Sequence, residues 1–131
     1  MRKLLASLVI SASLFAPLAR AEDDPGLAAF YKQDYATAMS IWKEQADKGD
    51  AHAQASLGVL YANGLGTPRD DVQAFKWFAE AARQGDSSGQ YNMGVMSRDG
   101  RATPKSSAEA VRWFRLAAAQ GDSNAKINLG A

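Results

Sequence analysis

The sequence predicts an all-α solenoid of antiparallel helix pairs, and three observations lead there. Gly49-Asp50, Gly85-Asp86 and Gly121-Asp122 recur at a fixed step of 36 residues, the length of a helical-pair repeat. The same step superimposes Ala38, Ala74 and Ala110; Ile41-Trp42, Trp77-Phe78 and Trp113-Phe114; Ala46, Ala82 and Ala118; and Leu57-Gly58, Met93-Gly94 and Leu129-Gly130. Within each unit the apolar residues recur at i, i+3 or i+4 and i+7 or i+8, the stripe of an amphipathic helix.

Residues 1–21 follow a different logic. Arg2 and Lys3 precede an apolar stretch from Leu4 to Leu18, interrupted by serines and Pro17, and Ala19-Arg20-Ala21 follows. That is the layout of a secretory signal peptide with an A-x-A cleavage site. The apolar run falls short of the roughly 20 residues needed to span a bilayer, and acidic Glu22, Asp23 and Asp24 follow it. The expected location is therefore periplasmic or beyond, with no membrane association after cleavage. The absence of a twin-arginine pair points to unfolded export, which argues against a cofactor loaded in the cytoplasm. Cleavage removes three basic residues and leaves 12 against 14 acidic ones, a net charge of −2. Such a surface has no electrostatic footprint for nucleic acid or anionic lipid.

Residues 22–48 read as a linker and a degenerate capping helix pair, Leu27 to Gln33 and Asp34 to Lys48. Residues 49–84 form a first complete unit. Its first helix runs from about Asp50 to Asn63, a turn carries Gly64 to Arg69, and its second helix runs from about Asp70 to Gln84. Residues 85–120 repeat the pattern, and residues 121–131 hold part of a third first helix, with Ile127 and Leu129 not covered by a second helix of their own. In each Gly-Asp pair the glycine stops one helix and the aspartate caps the next. Asp70 with Gln73, and Ser106 with Glu109, have the spacing of a capping box. Pro68 and Pro104 lie just ahead of them, where proline disturbs no helical hydrogen bond.

Packing accounts for the remaining repeated residues. Trp77, Phe78, Trp113 and Phe114 oppose small residues such as Ala82 and Ala118, so each ring fills the space beside a neighbouring alanine. Leu57 and Tyr61 share the matching face of the first helix. Gly58 and Gly94 are explained by close helix contact, and Gly64, Gly85 and Gly121 by turns and helix ends.

The run from Ala53-Gln54-Ala55-Ser56-Leu57-Gly58 through Gly64-Leu65-Gly66 to Ala74-Phe75-Lys76-Trp77-Phe78-Ala79-Glu80-Ala81-Ala82-Arg83-Gln84-Gly85 resembles a Sel1-like repeat. The second unit is similar, with Ser97 and Ala102 in place of the usual tyrosine and glycine, which suggests a loosened turn. The resemblance covers nearly all of residues 27 to 131. It implies a right-handed α-solenoid related to tetratricopeptide repeats, with a concave surface that binds a protein or peptide. Exported bacterial members include adaptors in envelope assembly and regulators of sensor kinases. Some cysteine-rich relatives have been associated with binding or hydrolysing β-lactams; this chain has no cysteine and no Ser-x-x-Lys arrangement.

No catalytic or metal-binding constellation emerges. His52 is the only histidine and has no second His, Cys or clustered carboxylate within helical reach. Asp70-Asp71 caps a helix, and Gly64-Leu65-Gly66-Thr67 lacks the lysine and preceding strand of a phosphate loop. The expected protein is not an enzyme, holds no cofactor or metal, and grips a protein or peptide partner. The expected contacts are the first-helix residues outside the packing stripe: His52, Ser56, Val59 and Asn63, with Ser88, Asn92, Val95 and Asp99 as their repeat equivalents. A homodimer through the C-terminal repeat, burying Ile127 and Leu129, is the structural alternative.

Overall fold

Each Gly-Asp junction ends one helix and begins the next through the same set of hydrogen bonds. Gly49 takes φ +97° and donates its N–H to the Ala46 carbonyl at 2.9 Å, while the Asp50 N–H reaches Gln45 at 3.1 Å. This is a Schellman closure, and it places the Asp50 carboxylate to accept the Ala53 N–H at 2.9 Å. Gly85-Asp86 and Gly121-Asp122 repeat it, with Gly89 and Ala125 as the capped N–H groups.

The computed structural model describes residues 23–130. The expected signal peptide, residues 1–21, lies outside them. Among the described residues there are seven helices and no strand: α1 Pro25–Tyr31, α2 Tyr35–Asp47, α3 Ala51–Asn63, α4 Asp71–Arg83, α5 Ser87–Asp99, α6 Ser107–Ala119 and α7 Ser123–Gly130. Each helix packs on its successor, and α3 also touches α5. The helices start and stop within about two residues of the positions the sequence suggests. None of them is long and apolar enough to cross a membrane.

The turns between paired helices differ from expectation in two details. Gln73 and Glu109 form only half of a capping box: their N–H groups bond to Asp70 and Ser106, but Glu109 turns its carboxylate to Arg112. The cap N–H groups instead go back to the first helix, from Asp70 to the Tyr61 carbonyl at 2.9 Å and from Ser106 to that of Ser97 at 2.8 Å. The second turn is not loosened. Ala102 takes the left-handed conformation of Gly66, φ +57° against +74°, and the flanking hydrogen bonds are reproduced.

Two apolar clusters form the core. Leu27, Phe30, Trp42, Leu57, Leu60 and Trp77 build the N-terminal one, and Val59, Phe78, Tyr91, Met96 and Phe114 the C-terminal one. Gly58 and Gly94 admit a ring face: a Cβ there would lie 2.5 Å from Phe78 or Phe114. Burying rings of this size is the main stabilising contribution.

The first helices are not surface elements. Every residue from Ala53 to Leu60 in α3 and from Ser88 to Ser97 in α5 is buried. Each of these helices is surrounded by the preceding second helix, its own second helix and the neighbouring first helix. No formal charge occurs from Ser87 to Ser97, and His52 is the only ionisable group other than tyrosine from Ala51 to Pro68. Helices with no charged face belong in the middle of the stack.

Candidate functional site

The eight residues expected to contact a partner separate into two groups. Ser56, Asn92 and Val95 are 0% exposed, Val59 is 1% and Ser88 is 7%. This corrects the expectation of one open groove, because the helices packed around α3 and α5 enclose these residues. Ser56 and Asn92 bond back to the carbonyls of His52 and Ser88, four residues earlier. His52 and Asn63 are half-buried, and Asp99 is exposed. Asn63 bonds to the Val59 carbonyl and Asp99 pairs with Arg98, so these three accessible residues lie at helix ends and form no row.

The accessible feature around His52 is an open cleft of about 290 Å³ where the N-terminal helix pair meets the first repeat. Asp23, Asp24, Pro25, Gln45, Asp50 and His52 line it. His52 Nε2 stands 3.1 Å from Asp24 Oδ2, and Asp24 also caps α1 by accepting the Leu27 N–H. Asp50 is held by its capping role at α3. The walls are thus acidic, and two of their carboxylates, Asp24 and Asp50, are fixed by the helix starts that they cap. Among the described residues, no group of three or more His, Cys, Asp or Glu could hold a metal ion.

Two hydrogen-bonding devices, one tying the two helices within each repeat and one joining successive repeats, hold the scaffold together and escaped the sequence reading. The Gln84 side-chain amide donates to Gln54 Oε1 at 2.8 Å and to the Gly49 carbonyl at 3.0 Å. One step later Gln120 does the same to Gln90 and Gly85, at 2.8 Å each. Both glutamine pairs obey the 36-residue step, so the signal was present in the sequence; polar residues are easily passed over when the apolar stripe is the guide. The second device is Arg101, whose Nη2 lies 2.7 Å from both the Ala62 carbonyl and Asp71 Oδ1. The hydrogen bond from Arg101, then that from Arg69, lowers the Asp71 carboxyl from 3.8 to about 2. Arg101 occupies the position of Leu65, so no repeat equivalence announced it.

Buried first helices packed between second helices, stepped every 36 residues, define the molecule as an α-solenoid of helical repeats. The chain belongs to the Sel1 repeat family, whose pattern matches residues 51–86 and 87–122. It is similar to the solved Sel1 repeat protein from Oxalobacter formigenes, with 31% identity and a TM-score of 0.75 over 81% of this chain and 44% of that one. It is also similar to a protective antigen present in uropathogenic Escherichia coli strains that displays an SLR fold, with 33% identity and a TM-score of 0.70 over 84% of this chain and 26% of that one. This chain therefore spans less than half the length of either. Helicobacter pylori cysteine rich protein B shares the fold at 22% identity, with a TM-score of 0.63 over 67% of this chain and 66% of that one. The comparison with curated proteins gave no match. Sel1 repeat proteins generally mediate protein–protein interaction and are typically not enzymes.

Proposed function

We propose that this chain is an exported adaptor or regulator that holds a partner protein or peptide. The observation that carries the reading is the tandem of Sel1 units, because the family's members are interaction modules and the described residues gather no metal-binding cluster. The acidic cleft beside His52 is the surface on which we place the partner. It is open, lies where two differently built helix pairs meet, and favours a segment bearing Lys or Arg. Export rests on the Arg2-Lys3, Leu4–Leu18 and Ala19-Arg20-Ala21 pattern.

In-cell photo-crosslinking tests both parts. A photoreactive residue at His52 captures one dominant foreign protein, whereas the same group at exposed Arg83 on α4 does not, and the accumulated protein has the mass of residues 22–131. Equal capture from both positions removes the cleft as the binding place. An unprocessed chain retained in the cytoplasm removes export. The β-lactam reading has no supporting observation, since the cysteine-rich Helicobacter protein is similar in fold alone.

A further inference from the structure

The cleft beside His52 is made by three departures from the repeat, all at one place. The first is a length. α3 and α5 run for 13 residues each, whereas α1 runs for 7. What α1 lacks amounts to about 9 Å of helix at 1.5 Å per residue. Asp24 is extended and Pro25 opens the helix, so α1 is not continued upstream. In a complete unit the end of the second helix lies beside the start of the first: the Gln84 amide reaches the Gly49 carbonyl, and Gln120 that of Gly85. The equivalent of these glutamines after α2 is Lys48, whose ammonium goes to Glu44 of α2 at 3.8 Å. The cleft opens here, between the start of α1, the end of α2 and the start of α3.

The other two departures are side chains. Gln45 stands where the later units have Ala81 and Ala117, and His52 where the next unit has Ser88. Those three small residues are buried, while Gln45 and His52 are half-buried on the cleft wall. The repeat folds with alanine and serine at these positions, so packing does not call for the larger polar groups. His52 Nε2 holds Asp24 Oδ2 at 3.1 Å, and Asp23, Asp24 and Asp50 face an opening that no Lys or Arg lines.

Resting on the cleft as the partner's place, we propose that the partner enters it as a short helix, which takes the place of the half helix that α1 lacks and directs a Lys or Arg side chain at Asp23 and Asp50. The helix lies against the end of α2 that α1 does not reach, a helix-in-groove contact. The Gln45 amide meets a backbone group at the end of the entering helix, as the Gln84 amide meets the Gly49 carbonyl one unit later. His52 keeps the Asp24 carboxylate turned toward the cleft. The opposed charges set the orientation of the segment.

Photo-labelling of a probe peptide tests this on the protein as it accumulates in expressing cells, with a photoreactive residue at exposed Pro25. The probe is a fluorescent alanine–lysine peptide of about 15 residues, a good helix former. Labelling should saturate. Gln45→Ala and His52→Ser, each the residue of the next unit, should each weaken it about fivefold while the melting temperature stays close to that of the parent. The same peptide with a central proline, or with glutamate in place of lysine, should not label. Equal labelling by the proline peptide overturns the proposal, because an extended segment then fits as well. Undiminished labelling of both variants, no labelling by the alanine–lysine peptide, or crosslinks from Pro25 only to this chain's own residues each overturn it too. Capture of a foreign protein from His52 in cells is a separate outcome. Its failure beside a labelled peptide removes the adaptor reading and leaves the chemistry of the cleft, and its success beside an unlabelled peptide does the reverse.

Discussion

Arg101 and Asp71 stand 2.7 Å apart although 30 residues separate them in sequence. The Arg101 side chain is 13% exposed and that of Asp71 26%. Replacing Arg101 by Ala leaves the Ala62 carbonyl without this donor and Asp71 without its principal partner. The expected cost is about 2 kcal/mol. Because the folded Asp71 pKa, about 2, lies below its ordinary 3.8, the pair's contribution is complete above about pH 4 and is lost as pH falls through 2. Thermal melts of the two proteins should differ most at neutral pH and draw closer toward pH 2, the Ala62 bond leaving a residual difference. A difference that persists undiminished in acid would assign the whole effect to the Ala62 bond and the packing of the arginine stem.

Gly94 lies under the Phe114 ring with no room for a methyl group. In an exposed helix Gly→Ala would stabilise by about 1 kcal/mol. Here Gly94→Ala should destabilise by about 1 to 3 kcal/mol, because the ring must move out of a packed cluster. A double-mutant cycle with Phe114→Leu should show strong coupling, since the smaller side chain relieves the clash. Additive effects would refute the contact.

Ala102 and Gly66 occupy equivalent turn positions with opposite expectations. Ala102→Gly relieves a left-handed alanine and should raise the melting temperature slightly, the gain in stability being less than about 1 kcal/mol once the entropy of the unfolded chain is counted. Gly66→Ala should destabilise, because its Cβ would come within 2.9 Å of the Tyr35 carbonyl oxygen. Differential scanning calorimetry of the two variants compares them directly; equal and opposite outcomes to these would show that the turn is free to rearrange.

Asn92 is fully enclosed, with its amide donating to the Ser88 carbonyl and its Oδ1 unpartnered. Asn92→Arg therefore places a guanidinium in a fully buried position on α5. It should cost at least about 3 kcal/mol and reduce the folded population. Urea titration followed by circular dichroism measures this. Wild-type stability of that variant would mean that the α5 face opens readily, and would restore it as a binding surface.

The sequence alone determined the repeat, the helix pairing and the helix ends, because these depend on local chemistry. A glycine that needs positive φ, followed by an aspartate that caps, punctuates the chain whatever surrounds it. It also determined which rings and alanines pack, since the 36-residue step aligns them. What only the tertiary structure decided was which helical faces remain open. The sequence pattern splits Ser56, Val59, Asn92 and Val95 from the main apolar stripe and so places them outside. The fold gives α3 and α5 neighbours on nearly every side, and small or neutral residues can enter such a contact without a desolvated charge. The fold also makes features that no single helix encodes. One is the open cleft where Asp24 meets His52 across 28 residues of chain. The other is the largely buried Arg101, which reaches one repeat back to Asp71.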